Sequence, residues 1–414
     1  MNENGATPLF NTTSRSFLGL NENLWRIAVV TGIGQYSISL WSWEFGIFLY
    51  SIGDPWMIGV TFSVGTFAML VGYILSGFIA DLIGRRKTMA VAFLPVIAGL
   101  LSLANLAVWP IVVFEYALIQ FGWSFILIMS RAIPADEIQK AGGKDSARKF
   151  TMVLLPAFLL DGISPIVGAY LLDIGYAPSN LHTLAGVGAV VAFTAAIIFV
   201  RETLGTEVIK KARSGPLISF RNLGRNFWFL VGGMAGFYLF FNSALSYWSL
   251  IVTEDWGISE TIFGYSWSAF SLTSVLFMYT VSGLADRNIK RALIVAVFAN
   301  SVLIFAYAFL SGIPTLLLLN IIWALPVVLW IGAERSLIVS EISEEAKGRA
   351  LGTYQFLMSS TNLVSANLGA FIWEASGSLR FLWLVCGFGT LGTSFVAAAC
   401  LKKIDMKREI NNSD

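Results

Sequence analysis

Apolar residues gather along this chain into stretches of twenty or more, and the connections between them hold most of the charge. About twenty helical residues cross a hydrocarbon core, so each stretch reads as a membrane span. Twelve are predicted, near 25–51, 56–80, 88–108, 110–133, 150–173, 180–200, 227–252, 260–285, 291–311, 313–336, 350–373 and 379–401. The pattern also repeats. Ser76-Gly77-Phe78-Ile79-Ala80-Asp81, followed by Gly84-Arg85-Arg86-Lys87, joins spans two and three, and Ser282-Gly283-Leu284-Ala285-Asp286-Arg287 joins spans eight and nine. The two serines are 206 residues apart. Arg131-x5-Glu137-Ile138 returns as Arg335-x5-Glu341-Ile342 after 204, and Trp25 as Trp228 after 203. A nearly constant offset at three places is the mark of a duplicated unit. The predicted fold is an all-α membrane protein of twelve transmembrane helices in two pseudo-symmetric six-helix bundles. Its parts are an N-terminal tail (1–24), a first bundle (25–200), a linker (201–225), a second bundle (226–401) and a C-terminal tail (402–414).

Composition agrees: 56% of the 414 residues are hydrophobic and 13% charged, too little polar surface for a water-soluble protein of this length. Charge sign sets the orientation. Lys and Arg cluster in the loops at 85–87, 140–149, 287–291 and 347–349, in the linker and in both tails, all on one side. The opposite loops hold Asp54, Asp173, Glu254, Asp255 and Glu260, with Arg380 their one strong base. The positive-inside rule then puts both termini in the cytoplasm of a multi-pass plasma-membrane protein. Residues 1–23 lack the apolar core of a cleavable leader, so the first span serves as insertion signal. Cys386 and Cys400 lie fourteen residues apart in one span, about 21 Å along a helix, which rules out a disulfide. With one histidine there is no zinc spacing, no Ser/His/Asp set beyond His182, and no phosphate-binding loop; no cofactor and no enzyme activity are expected. A net charge of +2 without a basic stripe gives no reason to expect a nucleic-acid partner. The expected partners are the bilayer, a small-molecule substrate and protons, with the chain acting as a monomer.

Gly77-x3-Asp81-x2-Gly84-Arg85-Arg86-Lys87, between spans two and three, resembles the hallmark loop of the major facilitator superfamily. The weaker copy between spans eight and nine and the twelve-span layout extend the resemblance over essentially the whole chain. Three local matches resemble the sugar-porter-like branch: Glu341-Ile342 before Gly348-Arg349-Ala350-x-Gly352, Arg201-Glu202-Thr203-Leu204-Gly205, and Asn242-x4-Tyr247-Trp248-Ser249. There are departures. The second loop lacks a counterpart of Gly84; span four carries Glu115 and Tyr116 where many members have an arginine; and Ser164-Pro165-x2-Gly168-Ala169 resembles an antiporter motif with two glycines replaced. The resemblance implies alternating access around one central site, formed mainly by spans one, four, seven and ten. It also implies a cytoplasmic gate in which Asp81, Arg85, Glu137 and Arg148 latch the outward-open state, with Asp286, Arg287, Glu341 and Arg349 as the repeat counterpart. In that loop Gly77 and Gly84 would permit close helix approach and a tight turn, as Gly283 would in the copy, and Arg86 would supply donors.

Intramembrane ionisable residues are the candidates for chemistry, because a charge there is expensive unless paired, hydrated or protonated. Asp161 lies near the middle of span five on a stripe with Ala157, Ser164, Pro165 and Gly168; the rival reading is a packing carboxylate. A similar depth of this span in the sugar-porter-like branch holds a substrate-binding amide. Glu44 shares a predicted face with Ser37 and Trp41 and is a proton-coupling candidate, with snorkelling to the surface as the alternative. Glu334, continuing Trp323–Val327–Trp330, is a third proton carrier. Arg131 and Arg335 either face the cavity, suiting an anion, or belong to the gate. Polar cavity candidates are Gln35, Tyr116, Gln120, Trp123, Asn242, Tyr247, Trp330, Gln355 and Asn362, although amides also glue helices together. His182 is expected on the extracellular side without a role. The expectation is proton-driven symport of a small polar organic solute, sugar-like or organic acid. A drug/proton antiporter is the alternative, and a non-transporting sensor the remaining one.

Overall fold

The computed structural model describes residues 20–140, 146–203, 223–340 and 347–404. The first bundle holds α1 (Glu22–Ser39), α2 (Phe45–Ile52), α3 (Pro55–Ile83), α4 (Arg85–Leu106), α5 (Ile111–Lys140), α6 (Ser146–Asp173) and α7 (Pro178–Phe199). The second holds α8 (Gly224–Leu245), α9 (Glu260–Arg287), α10 (Ile289–Phe309), α11 (Ile313–Ser340), α12 (Lys347–Ser376) and α13 (Leu379–Lys402). A helical turn at Trp248–Leu250 and a π-helical turn at Ile251–Asp255 complete the α8 rod. Several helices run longer than their apolar stretches, α5 to Lys140 and α12 from Lys347, because a helix propagates past the hydrocarbon edge once its middle is packed.

The first rod is broken, not the continuous span that 25–51 predicts. The helix stops after Ser39 and resumes at Phe45, with no proline or glycine between them. The α8 rod breaks after Leu245, and 39 to 245 is again a step of 206. In the first rod the break has a visible support. Trp43 Nε1 donates to the freed carbonyl of Leu40 at 3.1 Å, and a Cβ on Gly168 of α6 would stand 2.4 Å from that oxygen. Gly168 of the antiporter-like motif therefore lets α6 close on the broken turn. The stripe from Ser37 to Glu44 is not continuous, and Ser37 turns to Gly188 of α7.

Within the bundles, α3 and α4 pack on α5, α1 on α6 and α7, α8 on α12 and α13, and α10 on α11 and α13. Across them, α3 packs on α12 and α6 on α9. Call the side bearing residues 20 and 404 the near face, and the other the far face. The described hydrogen bonds between bundles lie in the far half or at mid-depth. Glu374 of α12 accepts from Trp56 N at 2.9 Å, Asn367 donates to Ser63 at 2.7 Å, and Ser63 to the Leu363 carbonyl at 2.7 Å. Tyr50 and Trp373 pack with their rings tilted at 5.4 Å, and the two broken rods meet where Gly46 lies on Ser249. The far face is closed. On the near half of α3, a Cβ on Gly77 would meet nothing within 4 Å, so no helix approaches it in this state.

Among the described residues, nine helices are long and apolar enough to cross a membrane. The α1–α2 rod, α9 and α12 are not among them. Serines at 266, 268, 271 and 274 on α9 and Ser359, Asn362 and Asn367 on α12 dilute their apolar character. These polar rods include the two that face the opposite bundle across the α6–α9 and α3–α12 seams. Outward, Phe67, Phe114, Leu276, Phe371 and Phe388 are 58–69% exposed, which is the lipid-facing belt of such a fold.

Candidate substrate and coupling site

Asp161 lies twelve residues from the far end of α6, about 18 Å along the helix. Two prolines interrupt that helix, and Pro165 removes the N–H that would bond the Asp161 carbonyl. The carboxylate is half-buried and fully engaged. Gln35 Nε2 donates to Oδ1 at 2.9 Å, Ser39 Oγ donates to the same oxygen, and Ser271 Oγ of α9 donates to Oδ2 at 2.9 Å. Gln35 also donates to Ser39 at 2.8 Å. Two of the three donors come from α1 and one from the other bundle, so Asp161 links them at mid-depth. Ser39 and Ser271 escaped the sequence reading, although a run of serines inside an apolar span is a signal of helix-to-helix bonding.

The second bundle has its own carboxylate centre. Glu334 accepts from Tyr238 at 2.8 Å, Trp330 Nε1 at 3.2 Å and Tyr354 at 2.5 Å, which gathers α8, α11 and α12. Trp330 stacks edgewise on Phe237 and Phe241, so this centre is walled by aromatic rings. Tyr238 and Tyr354 were not anticipated. Nearby on the same helices, Asn242 donates to Asn362 at 2.8 Å, and Gln355 to Ser359 at 3.2 Å. Tyr247 does not join them. It is fully buried, donates to the Ala366 carbonyl at 2.8 Å and packs on Trp373, pinning the broken α8 rod to α12 rather than lining a cavity.

In the first bundle the α5 stripe holds together. Gln120 donates to Tyr116 at 2.5 Å, Tyr116 stacks on Phe45 at 4.7 Å, and Trp123 lies against Gly34. Arg131, farther along, is exposed. Glu44 sits in the broken turn, 1% exposed, and neither carboxyl oxygen meets a partner among the described residues. It is sealed into the closed far face and does not reach the surface. Glu115 is also buried and accepts from Ser102. His182 is buried as well, set edgewise against Trp41 and Phe48, each at 5.3 Å.

On the near face, two members of the expected cluster, Arg85 and Glu137, have other partners in this state. Arg85 pairs with Asp136 at 2.5 Å, not Glu137, and Thr203 also donates to Asp136, at 2.7 Å. Glu137 accepts from Asn21 at 3.3 Å. One residue along a helix turns a side chain by about 100°, enough to exchange the two acids. Glu202 caps α4, accepting from the backbone N–H of Arg85 at 3.0 Å and Arg86 at 3.2 Å; Arg86 donates to the Ile197 carbonyl. Gly84 is required there twice over: its φ is +93°, and a Cβ would stand 2.3 Å from Glu202. The Arg201–Gly205 stretch carried the signal for Glu202. The side chains of Asp81, Arg148, Asp286, Arg287, Arg335 and Arg349, together with Gly283 and Glu341, lie outside the described residues. Among the described residues, no group of three or more His, Cys, Asp or Glu could hold a metal ion.

Two bundles joined at a central carboxylate, with a glycine-turned basic loop on one face, define a transporter architecture. The family model of the Major Facilitator Superfamily matches residues 57–366, about three quarters of the chain, and the chain belongs to that superfamily. The fold is similar to solved transporter structures at low identity. The nucleoside transporter NupG aligns with TM-score 0.76 and 13% identity, over 91% of this chain and 99% of that one. A peptide transporter POT in complex with alafosfalin aligns with TM-score 0.77 and 14% identity, over 95% and 97%. The human organic anion transporter MFSD10 aligns with TM-score 0.63 and 16% identity, over 91% and 99%. No curated protein matches the chain.

Proposed function

We propose that this protein is a secondary active transporter that moves a small polar organic solute, sugar-like or organic acid, across the plasma membrane by proton symport. The two bundles rock about the centre and expose it alternately to each side. The observation that carries the reading is Asp161: a carboxylate at mid-membrane, bound by neutral donors from both bundles. A group that can take up a proton at the pivot of two moving bodies couples protonation to their movement. With the positive-inside assignment the near face is cytoplasmic, and the closed far face makes this the inward-facing state. Gly77 and the Arg85–Asp136 pair then belong to the surface that closes in the opposite state. Placement near the sugar-porter-like branch rests on the local motifs alone.

Glu334 among Tyr238, Trp330 and Tyr354 favours a second reading, a drug/proton antiporter, since aromatic faces with a carboxylate attract organic cations. The test is uptake into proteoliposomes under an imposed pH gradient, screened over sugars, organic acids and cationic dyes. Symport predicts that a sugar or acid accumulates along the proton flow. Movement of a dye against it selects the antiporter, and indifference of every solute to the gradient removes proton coupling.

A further inference from the structure

The donors on Asp161 are not equivalent. Oδ1 is served from α1 by Gln35 at 2.9 Å and by Ser39, and α1 packs on α6 inside one bundle. Oδ2 is served by Ser271 at 2.9 Å, from α9 of the other bundle. When the bundles rock, the first pair moves with Asp161 and the second donor does not. The charged residues of these three helices stand near their ends: Glu22 and Arg26 on α1, Arg148, Lys149 and Asp173 on α6, and Glu260, Asp286 and Arg287 on α9. Each is at least nine residues along its helix from the group that meets Asp161, about 13 Å or more, so none of these bases replaces Ser271. A mid-membrane carboxylate stripped of a donor is left costly. What restores it is an O–H or N–H group. A simple dicarboxylate such as succinate would bring further negative charge and no donor.

We propose that Ser271 is a specificity-determining residue of the transport cycle: its hydroxyl occupies Asp161 Oδ2 in the far-closed state, and a hydroxyl or amine donor of a neutral or cationic solute displaces it. This rests on the reading that Asp161 lies in the solute site, and it narrows the solute from polar compounds in general to those offering a donor. Ser271 is an internal competitor, so its removal frees the oxygen for the ligand.

The test is binding to the purified full-length protein, with glucose, uridine and putrescine as donor-bearing probes and succinate as the anionic one. Wild type is expected to bind at least one of the first three and not succinate. Ser271→Ala should then bind that probe three- to tenfold tighter, and Ser271→Thr, which keeps the hydroxyl, should match wild type. If the alanine variant does not fold, Ser271→Cys, with its weaker donor, should shift affinity in the same direction by a smaller factor. Unchanged or weaker binding in a folded Ser271→Ala protein overturns the proposal, as does binding of succinate or of no donor-bearing probe. Asp161→Asn should weaken binding at least tenfold. Wild-type affinity there would instead remove Asp161 from the solute site, a failure of the underlying reading and not of Ser271 alone.

Discussion

Asp161 accepts all of its described bonds from neutral groups, two from its own bundle and one from the other. Each donor to an ionised acceptor contributes about 1.5–3 kcal/mol net, so protonation weakens several bonds at once and loosens the link between bundles. Asn in its place keeps the shape and cannot titrate. Asp161→Asn is therefore expected to lose gradient-driven accumulation while keeping solute exchange at equal pH once the solute is raised to offset its weaker binding, read by counterflow in proteoliposomes; retained accumulation would take the coupling role away. Gly84 gives a stability prediction of a different origin. Gly84→Ala forces a side chain into a left-handed turn and against Glu202, and should cost about 1–3 kcal/mol, read as a lower Tm of the detergent-solubilised protein. An unchanged Tm would mean that the loop relaxes freely. At this scale the carboxylates are legible in the sequence and their partners are not. Intramembrane charges stand out by their cost, whereas Ser39, Ser271, Tyr238 and Tyr354 act only where tertiary packing brings them to an acceptor.

The first turn of α3 has Pro55 at its start and no cap from the Asp54 side chain; its Trp56 N–H is met instead by Glu374 from the other bundle. A cap of this kind is worth about 0.5–2 kcal/mol, here contributed only while the far face is shut. Glu374→Gln weakens the acceptor's charge, and Glu374→Ala removes it. The alanine variant should shift the population toward an open far face by about twofold to thirtyfold. The measurement is the labelling rate of a single cysteine introduced at Tyr50, beside the Tyr50–Trp373 contact. An unaltered rate would show that apolar packing alone closes that face. The span positions were legible because lipid imposes a length on every helix. The breaks after Ser39 and Leu245 were not, because neither is marked by proline or glycine; both depend on what packs against them, as Gly168 and Trp43 do at the first. In the same way, the loop motif announced Arg85 but not whether Asp136 or Glu137 would meet it, a choice made by helix rotation.

For the whole molecule, the duplication read from offsets of 203 to 206 reappears as two six-helix bundles whose first rods break at equivalent places. The polar rods α9 and α12 lie at the seam because only there can serines and amides avoid lipid. The far face is closed by α3 on α12 and by the broken rods, and the near half of α3 around Gly77 looks onto open space. Rocking predicts that the two faces open in alternation and that Asp161 makes the balance depend on pH. The most direct measurement is the spin-label distance across each face, with one pair at Ser51 and Ser376 on the far side and another at Lys87 and Lys403 on the near side, all exposed positions. The account predicts two distances for each pair, with the longer far-face population growing as the longer near-face population shrinks when pH is changed, and this dependence lost in Asp161→Asn. A single distance at each face, or distances that ignore both pH and the substitution, would contradict it.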